Sequence, residues 1–210
     1  TGQFGMAVSS SSPAVAARCA HARAGVGAVA SQNVTDPRLG HHVLDAMANG
    51  MDADAAITSV IAAASHAAVR QLLAIDHAGR TAIFSGTNTL DIKAEYQSQN
   101  AAAAGNLLAN STIPKSMVTA FHNTKGHLGD RLIAAMRAGL DAGGEAGEVH
   151  SAGLLIVDNQ DWPLAELRCD WTEDCPIAAI AAAWDVYKPQ MNDYVTRALH
   201  PESAPSYGVP

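Results

Sequence analysis

At 210 residues the chain suits one domain with a single core. Its 48% hydrophobic content with only 5% aromatic residues implies a core built by close approach of alanine and valine. Thirteen basic against twenty acidic residues give a net charge of −7, which argues against a nucleic-acid partner, since such binding rests on clustered Lys and Arg.

Residues 1–9 begin with turn chemistry at Thr1-Gly2, and Phe4, Met6 and Val8 then alternate at the period of a strand. Ser9, Ser10, Ser11 and Ser12 before Pro13 read as a hydroxyl-rich break, and residues 14–23 hold enough alanine for a short helix. Residues 25–31 form a small-residue strand in which Gly25 and Gly27 leave room for a neighbouring backbone. It runs into the polar turn Ser31, Gln32, Asn33 and Thr35. Asp36 is placed to cap a following helix with Pro37 at its first position.

Helices are expected over 37–48, stopped by Asn49-Gly50, and over 52–65, whose Ala55, Ile57, Val60 and Ile61 mark an apolar face. Residues 69–76 and 80–85 flank His77-Ala78-Gly79 as a β-hairpin. The stretch 86–100 is polar and irregular and suits the border of a cleft; 101–108 reads as a buried strand of small residues. Amphipathic helices follow over 114–124 and 128–142, then strands over 151–158 and 164–170. Residues 176–199 form a long helical run interrupted or kinked at Pro189, followed by a coil-like tail from Pro201.

This order of strands, helix pair, strands, helix pair, strands and helix fits an α+β domain with two stacked sheets and helix pairs outside. An open single sheet with helices on one face is the alternative. One domain spanning 1–210 is expected, its C-terminal helix and extended tail beginning near 176.

Taken together, Gly5-Met6-Ala7-Val8-Ser9-Ser10, the run from Ala22 to Ala30, Phe84-Ser85-Gly86, Gly105-Asn106-Leu107-Leu108 and the run from Ser151 to Val157 resemble a bacterial family, domain of unknown function 1028, regarded as N-terminal-nucleophile (Ntn) hydrolases. The resemblance implies a four-layer αββα sandwich. By superfamily analogy it also implies amide hydrolysis by a residue at the mature N-terminus, whose α-amine, with an unperturbed pKa of about 7.7 to 8.0, serves as base. It further implies that 3–9 is the second strand of a hairpin whose first strand is missing ahead of Thr1, a segment of about six to ten residues for a strand plus turn. Thr1 matches the turn of that pattern and is also the visible N-terminal hydroxyl candidate.

Within that frame Gln32, Asn33 and Asn106 are candidate oxyanion or substrate-amide donors, and Ser10, Ser11 and Ser31 candidate substrate contacts; capping or loop bonding suits the same side chains. No metal is expected, because His41-His42 point apart on a helix and no His-x-x-x-His motif has a third ligand. No cofactor is implied. Cys19, Cys169 and Cys175 lack zinc or Cys-x-x-Cys spacing and favour a reducing compartment. No membrane span or basic-then-apolar leader is evident, so a cytoplasmic protein is expected. The functional expectation is an amidohydrolase acting on a small amide or peptide-like substrate, with a noncatalytic binding or structural oligomer on the same fold as the rival. The small-residue helix and Pro-rich tail point to self-association into a homo-oligomer.

Overall fold

The computed structural model describes residues 2–206. It is a mixed α+β structure of nine strands and seven α-helices among those residues. Strand β1 (Phe4–Ser10) pairs antiparallel with β8 (Ser151–Val157) over its whole length, from Phe4 opposite Val157 to Ser10 opposite Ser151, and β8 pairs with β9 (Ala165–Cys169). A second sheet runs β2 (Ala20–Arg23), β3 (Gly27–Asn33), β4 (Arg70–Asp76) and β5 (Thr81–Ser85). A separate two-stranded ladder joins β6 (Ala94–Ser98) to β7 (Ala101–Gly105).

Each larger sheet buries one face under helices. Helices α2 (Pro37–Ala48) and α3 (Ala53–Ala63) lay Leu39, Val43, Leu44 and Ile57 on Val29, Leu72 and Ala74 of the four-stranded sheet. Helices α5 (Leu128–Asp141) and α6 (Pro176–Tyr187) place Ile133, Met136, Ile180 and Trp184 on Ala152, Leu154 and Ile156 of β8. Helix α4 (Ile113–Asn123) lies beside α5 and over β6 and β7, while β1 packs against β2 and β3. Alanine and glycine make this close stacking possible.

Helix α2 starts as its sequence dictates: Asp36 Oδ1 accepts from the Arg38 amide at 3.2 Å, with Pro37 at the first position. The Arg38 guanidinium, bonded to the same carboxylate, holds the Asp36 pKa down at about 2 despite some burial. Gly27 meets the expected need for close approach, since a Cβ there would lie 2.0 Å from the carbonyl oxygen of Ile75. Gly25 does not; its position is open and its φ of +71° serves the turn between β2 and β3.

The structure corrects several boundaries. The expected helix over 14–23 is a short α1 (Val15–Cys19) followed by β2, because pairing Ala20–Arg23 with Gly27–Ala30 overrides the helical preference of alanine, as tertiary context does. The polar stretch 86–100 contains β6. The run at 176–199 is interrupted at Pro189 as expected, into α6 and α7 (Met191–Leu199), separated at 188–190, where Pro189 has no amide to continue the ladder. Among the described residues no helix is long and apolar enough to cross a membrane.

Candidate active site

Between β1 and β7 lies a cavity of about 660 Å³. Among the described residues β1 forms a ladder only with β8, and β7 only with β6. Both strands therefore turn an unpaired edge toward this groove. The walls are apolar. Met6 of β1, Leu73 and Ile75 of β4, Met117 and Phe121 of α4 and Leu128 of α5 line it. Gly5 shows why β1 sits so close to α5, since a Cβ there would lie 2.8 Å from the Leu155 carbonyl and 3.1 Å from Leu132.

One end of the groove is polar, and cross-strand register explains how. Gln32 of β3 sits opposite Gln71 of β4, which sits opposite Ser85 of β5, so the three side chains form a row on one face of the sheet. Gln71 is fully buried. Its Nε2 donates to Ser85 Oγ at 2.8 Å and to the Gly105 carbonyl at 3.3 Å. Its Oε1 accepts from Gln32 Nε2 at 2.7 Å and from Asn106 Nδ2 at 3.3 Å. Gln32 Nε2 also donates to the Ala104 carbonyl at 3.1 Å. The row thus ties the four-stranded sheet to β7 and to the turn that follows it.

That turn carries the site toward the end of β1. Leu108, two residues after Asn106, bridges to Glu145, and the Ala146 amide donates to the Leu107 carbonyl at 2.7 Å. Glu145 accepts from the Ser11 amide at 2.9 Å and from Ser11 Oγ at 2.5 Å. Gln32, Asn106 and Ser11, distant in sequence, are therefore joined through Gln71 and Glu145. Ser10 lies alongside, its Oγ accepting from the Ser12 amide at 3.1 Å.

Two further candidates point elsewhere. Ser31 is buried and its Oγ donates to the Asp36 carbonyl at 2.8 Å, steadying the turn before α2. Asn33, at φ +68°, donates to the Val69 carbonyl at 2.7 Å and accepts from the Leu90 amide, fastening the loop after β5. Thr1 lies outside the described residues. Sequence reasoning missed Gln71 and Glu145. The one signal for Gln71 was a polar residue on the same alternating face as Leu73 and Ile75.

The opposite end of the groove, by Gly2 and Gln3, carries imidazoles and one guanidinium. It is lined by His77, His122, His127 and Arg131. Arg131 stacks on the Phe121 ring, 3.9 Å from its centroid, and donates to the Phe121 carbonyl. His127 caps α5, its Nδ1 accepting from the Gly129 amide at 3.2 Å. Burial holds the His127 pKa below the usual histidine value, against the opposing pull of Asp130. Among the described residues no group of three or more His, Cys, Asp or Glu side chains is arranged to hold a metal ion. Cys19 is buried, and burial raises its thiol pKa although Thr35 bonds to it.

Residues 1–180 match the model of a family of unknown function, DUF1028. The chain is also similar to the crystal structure of protein SPO2555 from Silicibacter pomeroyi, of the same family. That likeness has a TM-score of 0.83 and 29% identity, over 90% of this chain and 84% of the other. No curated protein sequence gives a significant match.

Proposed function

The chain belongs to this family of unknown function, and on that footing we propose that it is an amidohydrolase of the N-terminal-nucleophile type acting on a small amide or peptide-like substrate. One observation carries the reading: a slot between the edges of β1 and β7 reaches Gln32, which is hydrogen-bonded through Gln71 to Asn106 behind the wall. A single extended strand in the slot would join β9, β8 and β1 to β7 and β6 as one sheet. With the other sheet and the two helical covers, it would complete a four-layer αββα sandwich. Pairing both edges would satisfy backbone groups, each worth about 1 to 3 kcal/mol where it would otherwise be buried unpaired. Such a strand meets apolar walls through its middle and is therefore uncharged there.

A nucleophile at the end of that strand beside Ser11 would attack a carbonyl held at Asn106, with its own α-amine as base. Asn106 keeps one N–H without a protein partner, available to the developing oxyanion. Gly2 stands at the far end of β1, about 30 Å from Ser11 at ~3.3 Å per residue, at the Arg131 end of the groove.

The test is a screen of protein carrying its native N-terminus against amides, lactams and ureido compounds, before and after acetylation of the α-amine. Hydrolysis abolished by acetylation is the expected result. Binding of these compounds with no turnover by the unacetylated protein would favour the noncatalytic rival, which draws on the same open edges.

A further inference from the structure

We propose that the free edge of β9 joins two copies of this chain as an antiparallel pair centred on Leu167, with each Glu166 opposite Arg168 of the partner subunit. Among the described residues β9 forms a ladder only with β8, at the rim of the three-stranded sheet opposite the groove, so the pairing is independent of any chemistry there. Leu167 and Cys169 pack on the core that α6 covers, and Glu166 and Arg168 are exposed on the other face. An open edge is a template for a further strand. A two-fold axis normal to the sheet keeps like faces together and sets one residue opposite its own copy. Placed at Leu167, that axis pairs all five residues of β9 and brings Glu166 opposite Arg168 twice. Moved one residue either way, it sets Glu166 on Glu166 or Arg168 on Arg168, and like charges directly opposite destabilise a sheet. Arg168 gives Nε and Nη2 to its own Asp170, while its Nη1 and the Glu166 carboxylate have no partner among the described residues. One sign of charge would guard this edge against self-pairing; alternating signs make it self-complementary.

The flanks of β9 fit the same axis. The Thr172 amide donates to the His150 carbonyl at 2.9 Å, so the backbone stays alongside the β8 segment through Trp171. Trp171 stacks one face on the His150 ring, 4.4 Å between centroids, and is still 51% exposed. Pro163 and Trp171 lie at equal distances in sequence on either side of Leu167. The pairing therefore brings each Trp171 opposite the partner's Pro163, next to the partner's Trp162, which is itself 37% exposed. Trp184 is the remaining tryptophan and is buried in the core. The two exposed ones supply apolar area, and the Glu166 and Arg168 pairs fix the register. Such a contact is smaller than the ~800 Å² per partner of a standard interface, so the dimer is a reversible one.

Sedimentation velocity of the full chain from about 1 to 500 μM tests this, with a monomer-to-dimer transition expected inside that range. Glu166→Arg and Arg168→Glu each set like charges across the axis twice and are expected to weaken the dimer about tenfold or more. Mixed in equal amounts, the two variants regain opposite charges at both positions, and a heterodimer of about the parental affinity is expected. The chain carrying both exchanges should likewise dimerise as the parent does. Trp171→Ala should weaken the dimer about tenfold, and it decides alone if a charge variant fails to fold. A chain that stays monomeric throughout, a mixture no better associated than its components, or a dimer unchanged by Trp171→Ala would overturn the proposal. So would a dimer indifferent to both charge variants, the result expected if the groove edges of β1 and β7 associate instead.

Discussion

Strand β4 carries a fully buried polar residue near each end, and the two are satisfied in opposite ways. Asp76 accepts from the amides of Ala53, Ala78 and Arg80 and from Arg80 Nε at 2.7 Å, closing the β4–β5 turn and starting α3 in one stroke. Every partner is local scaffold, and nothing is left over for a ligand. Gln71 reaches instead to side chains from other segments, which retain an unused oxygen on Gln32 and an unused N–H on Asn106. A buried polar group whose neighbours are all consumed serves the fold. One whose neighbours keep spare capacity toward a cavity serves a site.

The largest effect should come from the scaffold end. Asp76→Ala leaves three amides and a guanidinium without their acceptor and should lower stability by about 3 to 5 kcal/mol in urea unfolding; a loss below 1 kcal/mol would break the comparison. The same end governs acid sensitivity. Burial alone would raise the Asp76 pKa, but its four donors outweigh it and the net shift is downward; Asp130 is lowered in the same way by Lys188 and Trp184. Carboxyls depressed in the folded state contribute stability that is present above about pH 4, their unfolded value, and lost as pH falls through the folded values. For Asp36 that range ends at about 2. Acid titration of Asp76→Asn should therefore show a flatter stability profile below pH 4 than the parent.

At the site end, Asn106→Ala should reduce kcat on a primary amide by about 100-fold, as loss of one oxyanion donor does, with KM little changed and stability altered by less than about 1 kcal/mol. A proportional rise in KM at constant kcat would place Asn106 in ground-state binding instead. Gln71→Met should lower stability by about 2 kcal/mol, since it strands two donors and two acceptors. Gln32→Met should be smaller, about 1 kcal/mol in stability, because it removes two hydrogen bonds and leaves Gln71 its bond from Asn106.

Much of the architecture could be read from local chemistry. Asp36-Pro37 and Asn49-Gly50 delimit α2, and His77-Ala78-Gly79 closes the β4–β5 hairpin, because caps and turns depend on a few adjacent residues. Strands β2 and β6 were hidden for the converse reason. Ala20–Arg23 has no strand preference of its own and becomes a strand only beside β3, and Glu95, Tyr96 and Gln97 of β6 are exposed, leaving no apolar alternation to find. Gln32 and Asn106 stood out as amides in suggestive loops. Gln71, which links them, sits in mid-strand as a solitary polar residue, and Glu145 in a loop 134 residues from Ser11. Only register and tertiary contact give those two their meaning.

The unpaired rims of β1 and β7 have a consequence for colloidal behaviour. Exposed strand edges normally invite growth into aggregates, each new chain adding another ladder. Here both rims open onto one groove walled by α4, α5 and β4. An incoming strand that paired with either rim would close the groove and present no fresh edge to the next molecule. On that reading, association through the groove would stop at a single addition instead of propagating into fibres.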